Sequence, residues 1–172
     1  MKIGNREFQS KGHTYVMGIL NVTPDSFSDG GRFNSLDKAL FHVQEMIKEG
    51  VDIIDVGGES TRPGYTLLSD DEEILRIVPV IEHLKKEIDV PISLDTYKGN
   101  VAKEGIKAGA DLINDIWGLK YDDILASFSL DNEFVLFKIY YSLLNHIYEG
   151  KKVYLDSKKV NKGNYKVKKA IL

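Results

Sequence analysis

The chain has no cysteine among its 172 residues, which excludes disulfides, a thiolate nucleophile and cysteine-ligated zinc. It also lacks any apolar run near the roughly 20 residues that a membrane helix requires, and the segment Met1–Ser10 contains no apolar signal-peptide core. Hydrophobic residues nevertheless make up 42% of the sequence, which suffices for the buried core of one ordinary domain. These features predict a globular cytoplasmic protein without a membrane anchor.

Acidic residues predominate in the first part of the chain and basic residues in the last. Residues 1–120 carry 14 Lys and Arg against 20 Asp and Glu, whereas residues 121–172 carry 9 against 6. The lysine-rich segment Lys151–Leu172 allows two interpretations, a nucleic-acid-binding patch or a solvated terminus. Because it contains no arginine and no supporting fold pattern, we favour the solvated terminus and expect no nucleic-acid partner.

The first 120 residues repeat a pattern of short apolar run, polar loop and amphipathic helix, which is typical of βα units around a parallel sheet. The predicted strands are Tyr15–Leu20, Val51–Val56, Pro91–Leu94 and Asp111–Ile113. The predicted helices between them are Ser35–Glu49, Asp71–Glu87 and Lys98–Ala108. A hairpin of Glu7–Gln9 with His13–Tyr15 is expected to close the bottom of this α/β barrel.

A polar group follows each of the four predicted strands. These groups are Asn21, Glu59–Arg62, Asp95 with Thr96, and Asn114 with Asp115. Taken singly, Asn21 and Asn114 suit turns, and Asp95 suits a helix N-cap. Taken jointly, they favour an active site, because parallel strands direct their carboxyl ends to one rim, which is the catalytic face of a β/α barrel.

The loops after the first two strands are rich in glycine and hydroxyl groups. The first lies within MGILNVTPDSFSDGG (Met17–Gly31), where the ring of Phe27 is placed to cover a ligand. The second is VGGESTRPG (Val56–Gly64), where Thr61 and Arg62 offer donors suited to phosphate oxygens. It has neither Walker A nor dinucleotide-fingerprint spacing. We interpret this second loop as an anion-binding site.

Two carboxylates, Asp52 and Asp55, alternate with apolar residues in the second predicted strand. We expect Asp55 to lie buried near the rim, and either carboxylate to support a ligand-binding neighbour. The four histidines do not share the spacing of metal ligands, and we interpret them as surface or helix-face residues.

Four motifs in this region resemble the N-terminal motifs of the bacterial dihydropteroate synthase family. They are the two loop sequences above, followed by SLDTYK (Ser93–Lys98) and INDIWG (Ile113–Gly118), in order and at the spacing of barrel units. The resemblance covers about residues 13–120. It implies a TIM-type (β/α)8 barrel of the pterin-binding type, of which residues 1–120 carry the first four βα units and residues 121–172 form a divergent segment.

The resemblance also implies a reaction. It is the condensation of 6-hydroxymethyl-7,8-dihydropterin diphosphate with 4-aminobenzoate to 7,8-dihydropteroate in folate biosynthesis, with pyrophosphate leaving. A leaving diphosphate calls for a positive, hydroxyl-rich cradle and for Mg²⁺ to absorb its charge. The resemblance also implies a homodimer as one expected assembly.

The resemblance assigns roles to residues at the rim. Asn21 helps to hold Mg²⁺ and the diphosphate, and Thr61 and Arg62 contribute to the diphosphate side. Asp95 and Asn114 lie in the pterin pocket, where a carboxylate and an amide match the donor and acceptor edge of the aminopyrimidinone ring.

Two further assignments concern 4-aminobenzoate, which Phe27 and Pro63 from the two loops are placed to cover. No residue is assigned as a general acid or base. In the mechanism implied by the resemblance, the C–O bond to diphosphate loosens early and the weakly basic arylamine attacks a cationic methylene, so no strong base is needed.

Residues 121–172 depart from the family pattern, since a later Asp, a Lys and a closing Arg and His pair are missing. Instead, Phe128–Tyr148 is aromatic and apolar. One hypothesis is that a frameshift or truncation near Tyr121–Ser127 ends the family sequence, because the Ile, Tyr, Asn and Lys content suits an AT-rich coding sequence read out of frame. The other is that residues 121–172 form a different closure, with helices that cover the half-barrel or mediate dimerisation.

Three functions of different classes stay open at this point. The first is a synthase, which is inactive if half of its site is missing. The second is a non-catalytic protein that binds a pterin or a diphosphate, or a partner subunit. The third is another pterin barrel, such as a methyltetrahydrofolate methyltransferase. The TPDSF and GESTRPG loops argue against the third, because they suit diphosphate and 4-aminobenzoate better than methyl transfer.

Overall fold

The computed structural model describes residues 2–9, 12–22, 31–59 and 67–125, and the backbone of residues 135–138. A hairpin pairs β1 (Lys2–Ile3) with β2 (Arg6–Glu7). Five strands then form a parallel sheet in chain order: β3 (Met17–Asn21), β4 (Ile53–Gly57), β5 (Ile92–Asp95), β6 (Leu112–Asp115) and β7 (Val135–Lys138). The helices that connect β3 to β6 are α1 (Gly31–Lys48), α2 (Asp70–Glu87) and α3 (Gly99–Ala108).

This architecture confirms the predicted α/β class and the predicted order of βα units. The difference lies in β7, a fifth parallel strand that pairs with β6 beyond residue 120. The sequence analysis assigned no strand here, because Val135–Lys138 lies within the aromatic and apolar stretch Phe128–Tyr148. The division of the chain into domains at residue 120 stays a prediction.

The hairpin lies earlier than the sequence analysis placed it. The prediction of Glu7–Gln9 with His13–Tyr15 was wrong, because the chain turns at Gly4, which adopts a φ of +58° that favours glycine. The hairpin still closes the bottom of the sheet, since Arg6 Nε donates a hydrogen bond to the Asp89 carbonyl at 3.0 Å. A small apolar cluster lies beside it, formed by Ile3, Phe8, Ile53 and Leu112.

The two faces of the sheet have different partners, because successive side chains of a strand point to opposite sides. The face that packs against the helices is fully buried and apolar; it consists of Ile54, Val56, Ile92, Leu94 and Ile113. The opposite, interior face carries polar side chains toward the carboxyl ends of the strands; they are Asp55, Ser93, Asp95 and Asn114. The helices therefore cover the apolar face, and the polar side chains at the strand ends lie on the other.

Helix α2 begins at a well-formed cap, which fixes the end of the loop that precedes it. The Glu72 amide donates to Ser69 Oγ at 3.3 Å, and the Ser69 amide donates to Glu72 Oε2 at 3.0 Å. This reciprocal capping box satisfies amides that a helix start leaves unpaired. None of the helices in the described part of the chain is both long and apolar enough to cross a membrane.

Candidate functional site

The carboxyl ends of four neighbouring strands meet in one row on the interior face. Asn21 pairs in register with Gly57, Gly57 pairs with Asp95, and Asp95 pairs with Asn114. Asn21 is exposed, whereas Asp95 and Asn114 are half-buried. We call Asn21, Gly57, Asp95 and Asn114 the rim row. The predicted convergence of Asn21, Asp95 and Asn114 is therefore what the sheet register produces.

Gly57 leaves a gap in the middle of the rim row. A Cβ atom at this position would lie 3.7 Å from Asp95 Cβ, 3.8 Å from Asp95 Oδ2 and 3.9 Å from Asn21 Oδ1. These are ordinary van der Waals distances, so a methyl side chain would fit here and crowding does not explain the glycine. The absence of a side chain leaves open the space between the amide of Asn21 and the carboxyl of Asp95.

One step below the rim row, Asp55 supports Asn114. Asp55 is 4% exposed, and its Oδ2 accepts a hydrogen bond of 3.1 Å from Asn114 Nδ2. Burial raises the pKa of the Asp55 carboxyl, while Ser93 and Asn114 partly offset this effect. The expectation that Asp55 lies buried near the rim is confirmed. Asp52 instead accepts from the Val16 amide at 2.8 Å, on the side of the sheet away from the rim.

Two buried polar atoms below the rim, Asp55 Oδ1 and Ser93 Oγ, make no well-formed hydrogen bond in the described part of the chain, although the two side chains lie close enough for Ser93 to lower the pKa of Asp55. They belong to register partners on β4 and β5. Buried polar atoms without partners are costly, and in native proteins they are usually satisfied by water or by a ligand. Together with the gap at Gly57, they form a small polar cup that opens at the rim.

Asp95 lies in a strongly acidic environment. Burial is the main reason why the pKa of its carboxyl rises to about 7. Neighbouring carboxylates add to this effect; they belong to Asp55, Glu73 and Asp115. A carboxyl with this pKa exchanges its proton near neutral pH, and perturbed groups of this kind concentrate at functional sites.

Asp115 follows Asn114 in the sequence but has a different place in the structure. It is almost fully buried and accepts hydrogen bonds from the backbone amides of Trp117, at 2.8 Å, and Leu119. It therefore shapes the turn after β6, where Leu119 has a φ of +62°. Of the two polar residues predicted at this strand end, only Asn114 lies on the rim row.

Lys98 and Glu73 are functional candidates that the sequence analysis missed. Lys98 Nζ contacts Glu59 Oε2 at 2.6 Å and Glu73 Oε2 at 2.7 Å, and all three side chains are at least nine-tenths buried. Two signals pointed to them. A lysine at the N-cap of α3 is unfavourable beside the helix dipole, and Glu73 occupies the apolar stripe of α2 together with Ile77.

Four predicted site residues lie outside the described part of the chain. They are Phe27, Thr61, Arg62 and Pro63. The roles assigned to these residues stay predictions. The described residues on either side of residues 60–66 are Glu59 and Leu67, so the structure fixes where this segment begins and ends.

Comparison with known proteins gives a consistent family. A family model described as pterin binding enzyme matches residues 17–135, which extends past residue 120. The dihydropteroate synthase of Clostridium beijerinckii is 62% identical over 126 residues, which is 73% of this chain and 47% of that protein. The chain thus spans about half the length of the curated relatives it matches.

Two solved structures show the same relationship. The dihydropteroate synthase of Clostridium difficile, solved in the presence of pteroic acid, is 52% identical with a TM-score of 0.73, covering 77% of this chain and 50% of that one. The Xanthomonas albilineans enzyme with 4-aminobenzoic acid is 43% identical with a TM-score of 0.65, covering 72% and 45%. The rim row, the matching family model and these neighbours agree: the chain belongs to the pterin binding enzyme family.

Proposed function

We propose that this chain provides the pterin- and diphosphate-binding part of a dihydropteroate synthase site. The observation that carries the proposal is the rim row, in which an amide, a gap, a carboxyl and a second amide lie in register above a polar cup. Support comes from the solved relatives, of which one was solved in the presence of pteroic acid and another with 4-aminobenzoic acid. The proposed substrates are the pterin diphosphate and 4-aminobenzoate, as in the reaction given above.

Asp95 and Asn114 are proposed to recognise the pterin ring. The aminopyrimidinone edge presents N–H donors beside a carbonyl acceptor, which a carboxylate and a primary amide can pair with. Because Asn114 Nδ2 donates to Asp55 Oδ2, the amide is held in one orientation, with its oxygen directed away from Asp55. Asp55 thus acts as a positioning residue for Asn114.

The raised pKa of Asp95 gives pterin binding a pH dependence. At neutral pH a sizeable share of this carboxyl is protonated, since its pKa is about 7. Two N–H donors of a pterin favour the ionised form, because a carboxylate accepts on both oxygens. Pterin affinity is therefore expected to rise with pH up to about 7, and binding below this pH is expected to release a proton.

Asn21 is proposed as a ligand of Mg²⁺. Mg²⁺ prefers oxygen donors and commonly keeps several waters and substrate phosphates, so it needs few protein ligands. Asn21 ends β3 at the exposed end of the rim row, whereas the described residues contain no group of three His, Asp or Glu able to hold a metal. When bound, Mg²⁺ would neutralise charge on the diphosphate.

The remaining roles follow from the two loops. Thr61 and Arg62 are proposed to bind diphosphate oxygens, and Phe27 and Pro63 to cover 4-aminobenzoate. In the reaction the C–O bond to diphosphate breaks, pyrophosphate leaves, and the arylamine nitrogen forms the new C–N bond and loses a proton. Positioning and charge neutralisation are the chief demands of such a step. A homodimer and a cytoplasmic location stay predictions.

Titration calorimetry of the 172-residue chain tests this proposal. We expect 6-hydroxymethylpterin to bind, Asp95→Asn to weaken binding by about 10-fold or more, and Asp71→Asn, an exposed change on α2, to leave it unaltered. Absence of binding at about 1 mM pterin would contradict the proposal. Adding pterin diphosphate, Mg²⁺ and 4-aminobenzoate then tests turnover. Pterin binding without pyrophosphate release would favour the second candidate, a pterin-binding chain or subunit without synthase activity.

A further inference from the structure

The hydrogen bond between Asp55 and Asn114 joins two strands that are not neighbours. Asp55 lies on β4 and Asn114 on β6, and β5 runs between them. Asn114 Nδ2 nevertheless donates to Asp55 Oδ2 at 3.1 Å. Since neighbouring strands are about 4.8 Å apart, the two side chains together span a width of about 10 Å. The bond therefore crosses the whole of β5 on the interior face of the sheet.

Ser93 is the residue of β5 beside which this bond passes. It is the register partner of Asp55, whereas Asp95, two residues further on, is the register partner of Asn114. Ser93 is completely buried, and its hydroxyl lies close enough to Asp55 to lower the pKa of that carboxyl. On its other side Ser93 pairs with Leu112, a large side chain, so small size is not a general feature of this level of the sheet.

A larger side chain at position 93 would occupy the space through which the bond passes. Protein interiors are densely packed, so an added methyl group displaces its neighbours. Of the two bonded side chains, Asn114 can move more easily, because it is half-buried at the rim, whereas Asp55 is 4% exposed. A larger residue in place of Ser93 would therefore separate Asn114 from Asp55 and leave the amide free to rotate.

The bond determines which atom Asn114 presents to a ligand. A carboxylate only accepts hydrogen bonds, so the amide nitrogen faces Asp55 and the amide oxygen faces the rim. Ionised Asp95, beside it in register, also accepts. The complementary ring edge therefore carries two neighbouring N–H donors, such as the 2-amino group and N3–H of a pterin. A lumazine has a carbonyl in place of the 2-amino group, and would place an acceptor against these acceptors.

We propose that Ser93 is a positioning residue that determines specificity. Its small side chain leaves room for the bond between Asp55 and Asn114, which holds the Asn114 oxygen toward the ligand. The site thereby favours a ring edge with two N–H donors over an edge with a carbonyl at the same place. This consequence for ligands rests on the proposed function. The effect of Ser93 on Asn114 can be measured without any ligand.

The first test is NMR of the free protein, which follows solvent exchange of the Asn114 side-chain amide, identified by its absence in Asn114→Ala. In Ser93→Val we expect this exchange to be about 10-fold faster, whereas Ser93→Ala, which keeps the room, should stay within about 3-fold of wild type. Ala39→Val is the matched control, because it overpacks the core on the other face of the sheet and should leave Asn114 unaltered. Unchanged exchange in Ser93→Val, or equal acceleration in Ser93→Ala, would overturn the proposal.

The second test compares two probes by calorimetry, 6-hydroxymethylpterin and 6-hydroxymethyllumazine. We expect the wild type to favour the pterin by about 30-fold or more, and Ser93→Val to reduce this ratio by about 5-fold or more. Ser93→Ala and Ala39→Val should keep the ratio within about 3-fold. A loss of affinity for both probes at an unchanged ratio would overturn the role in specificity in favour of a general structural one.

A double-mutant cycle shows whether Ser93 acts through Asp55. Asp55→Ala should also lower the pterin-to-lumazine ratio, and adding Ser93→Val should lower it no further, whereas additive losses would overturn the proposal. If Ser93→Val does not fold, Ser93→Thr, which adds one methyl group, serves the same tests. The same pattern in smaller measure supports the proposal, and wild-type behaviour overturns it. Failure of the wild type to bind the pterin would contradict the proposed function, while the exchange data still decide whether Ser93 leaves room for the bond.

Discussion

Asp95 should lower the stability of the folded chain when it is ionised, and Asp95→Asn should remove that cost. The pKa of this carboxyl is about 7 in the folded protein against its ordinary value of 3.8. At about 1.4 kcal/mol for each pH unit, the difference corresponds to at most about 4 kcal/mol. Because the folded state holds the proton more tightly, the contribution of Asp95 to the free energy of unfolding falls as pH rises from about 4 to about 7, and is level above.

Urea unfolding followed by the fluorescence of Trp117, the single tryptophan, measures this effect. Asparagine keeps the shape of aspartate without its charge. We expect Asp95→Asn to exceed the wild type in unfolding free energy by under about 2 kcal/mol at about pH 5, and by up to about 4 kcal/mol at about pH 8. Asp71→Asn should match the wild type at both pH values, since Asp71 is exposed on α2.

The decisive observation is how the difference in unfolding free energy between Asp95→Asn and the wild type changes with pH. An equal stability difference at about pH 5 and about pH 8 would show that charge on Asp95 is not its source. A variant less stable than the wild type at the higher pH would refute the reasoning altogether. The expected gain in stability accompanies the loss of pterin affinity given above, a trade-off that is common where a binding group is held in a destabilising environment.

Three glycine and cap substitutions test the packing around the site. Gly57→Ala places a methyl group 3.7 Å from Asp95 Cβ, so we expect the unfolding free energy to change by under about 1 kcal/mol. Calorimetry should nevertheless show a loss of pterin affinity. Unchanged affinity would show that the gap at Gly57 holds no ligand. Gly105→Ala brings Cβ into a close contact with Leu94 Cδ2 in the core and should cost about 1–3 kcal/mol in urea unfolding. A neutral result would mean that Leu94 can turn away. Ser69→Ala removes the capping box and should cost about 1 kcal/mol in the same assay, which an unchanged midpoint would contradict.

Much of the fold followed from local patterns in the sequence. Short apolar runs and helical stripes predicted the βα units, because each unit buries one face of a strand against the next helix. The meeting of Asn21, Asp95 and Asn114 followed from topology, since parallel strands in register end on one edge of a sheet. The sequence alone therefore predicted that these three residues lie side by side.

Other features depend on contacts between distant residues, which a local pattern does not contain. The N-terminus of α3 is capped from the turn after β6, where Asp122 Oδ2 accepts from the Gly99 amide at 2.6 Å. This contact leaves Lys98, at the N-cap position, available to reach Glu59 and Glu73. The sequence showed only the anomaly of a cation at a helix start. Its partners became evident once the strands and helices were in place.

The central claim is that the rim row binds the edge of a pterin ring. A crystal structure of the chain with 6-hydroxymethylpterin tests it most directly. The account predicts the aminopyrimidinone edge within hydrogen-bond distance of both Asp95 and Asn114, with the ring seated over the polar cup and its 6-substituent directed toward Asn21 and Gly57. A pterin bound elsewhere on the molecule, or at the rim without contact to Asp95, would contradict it.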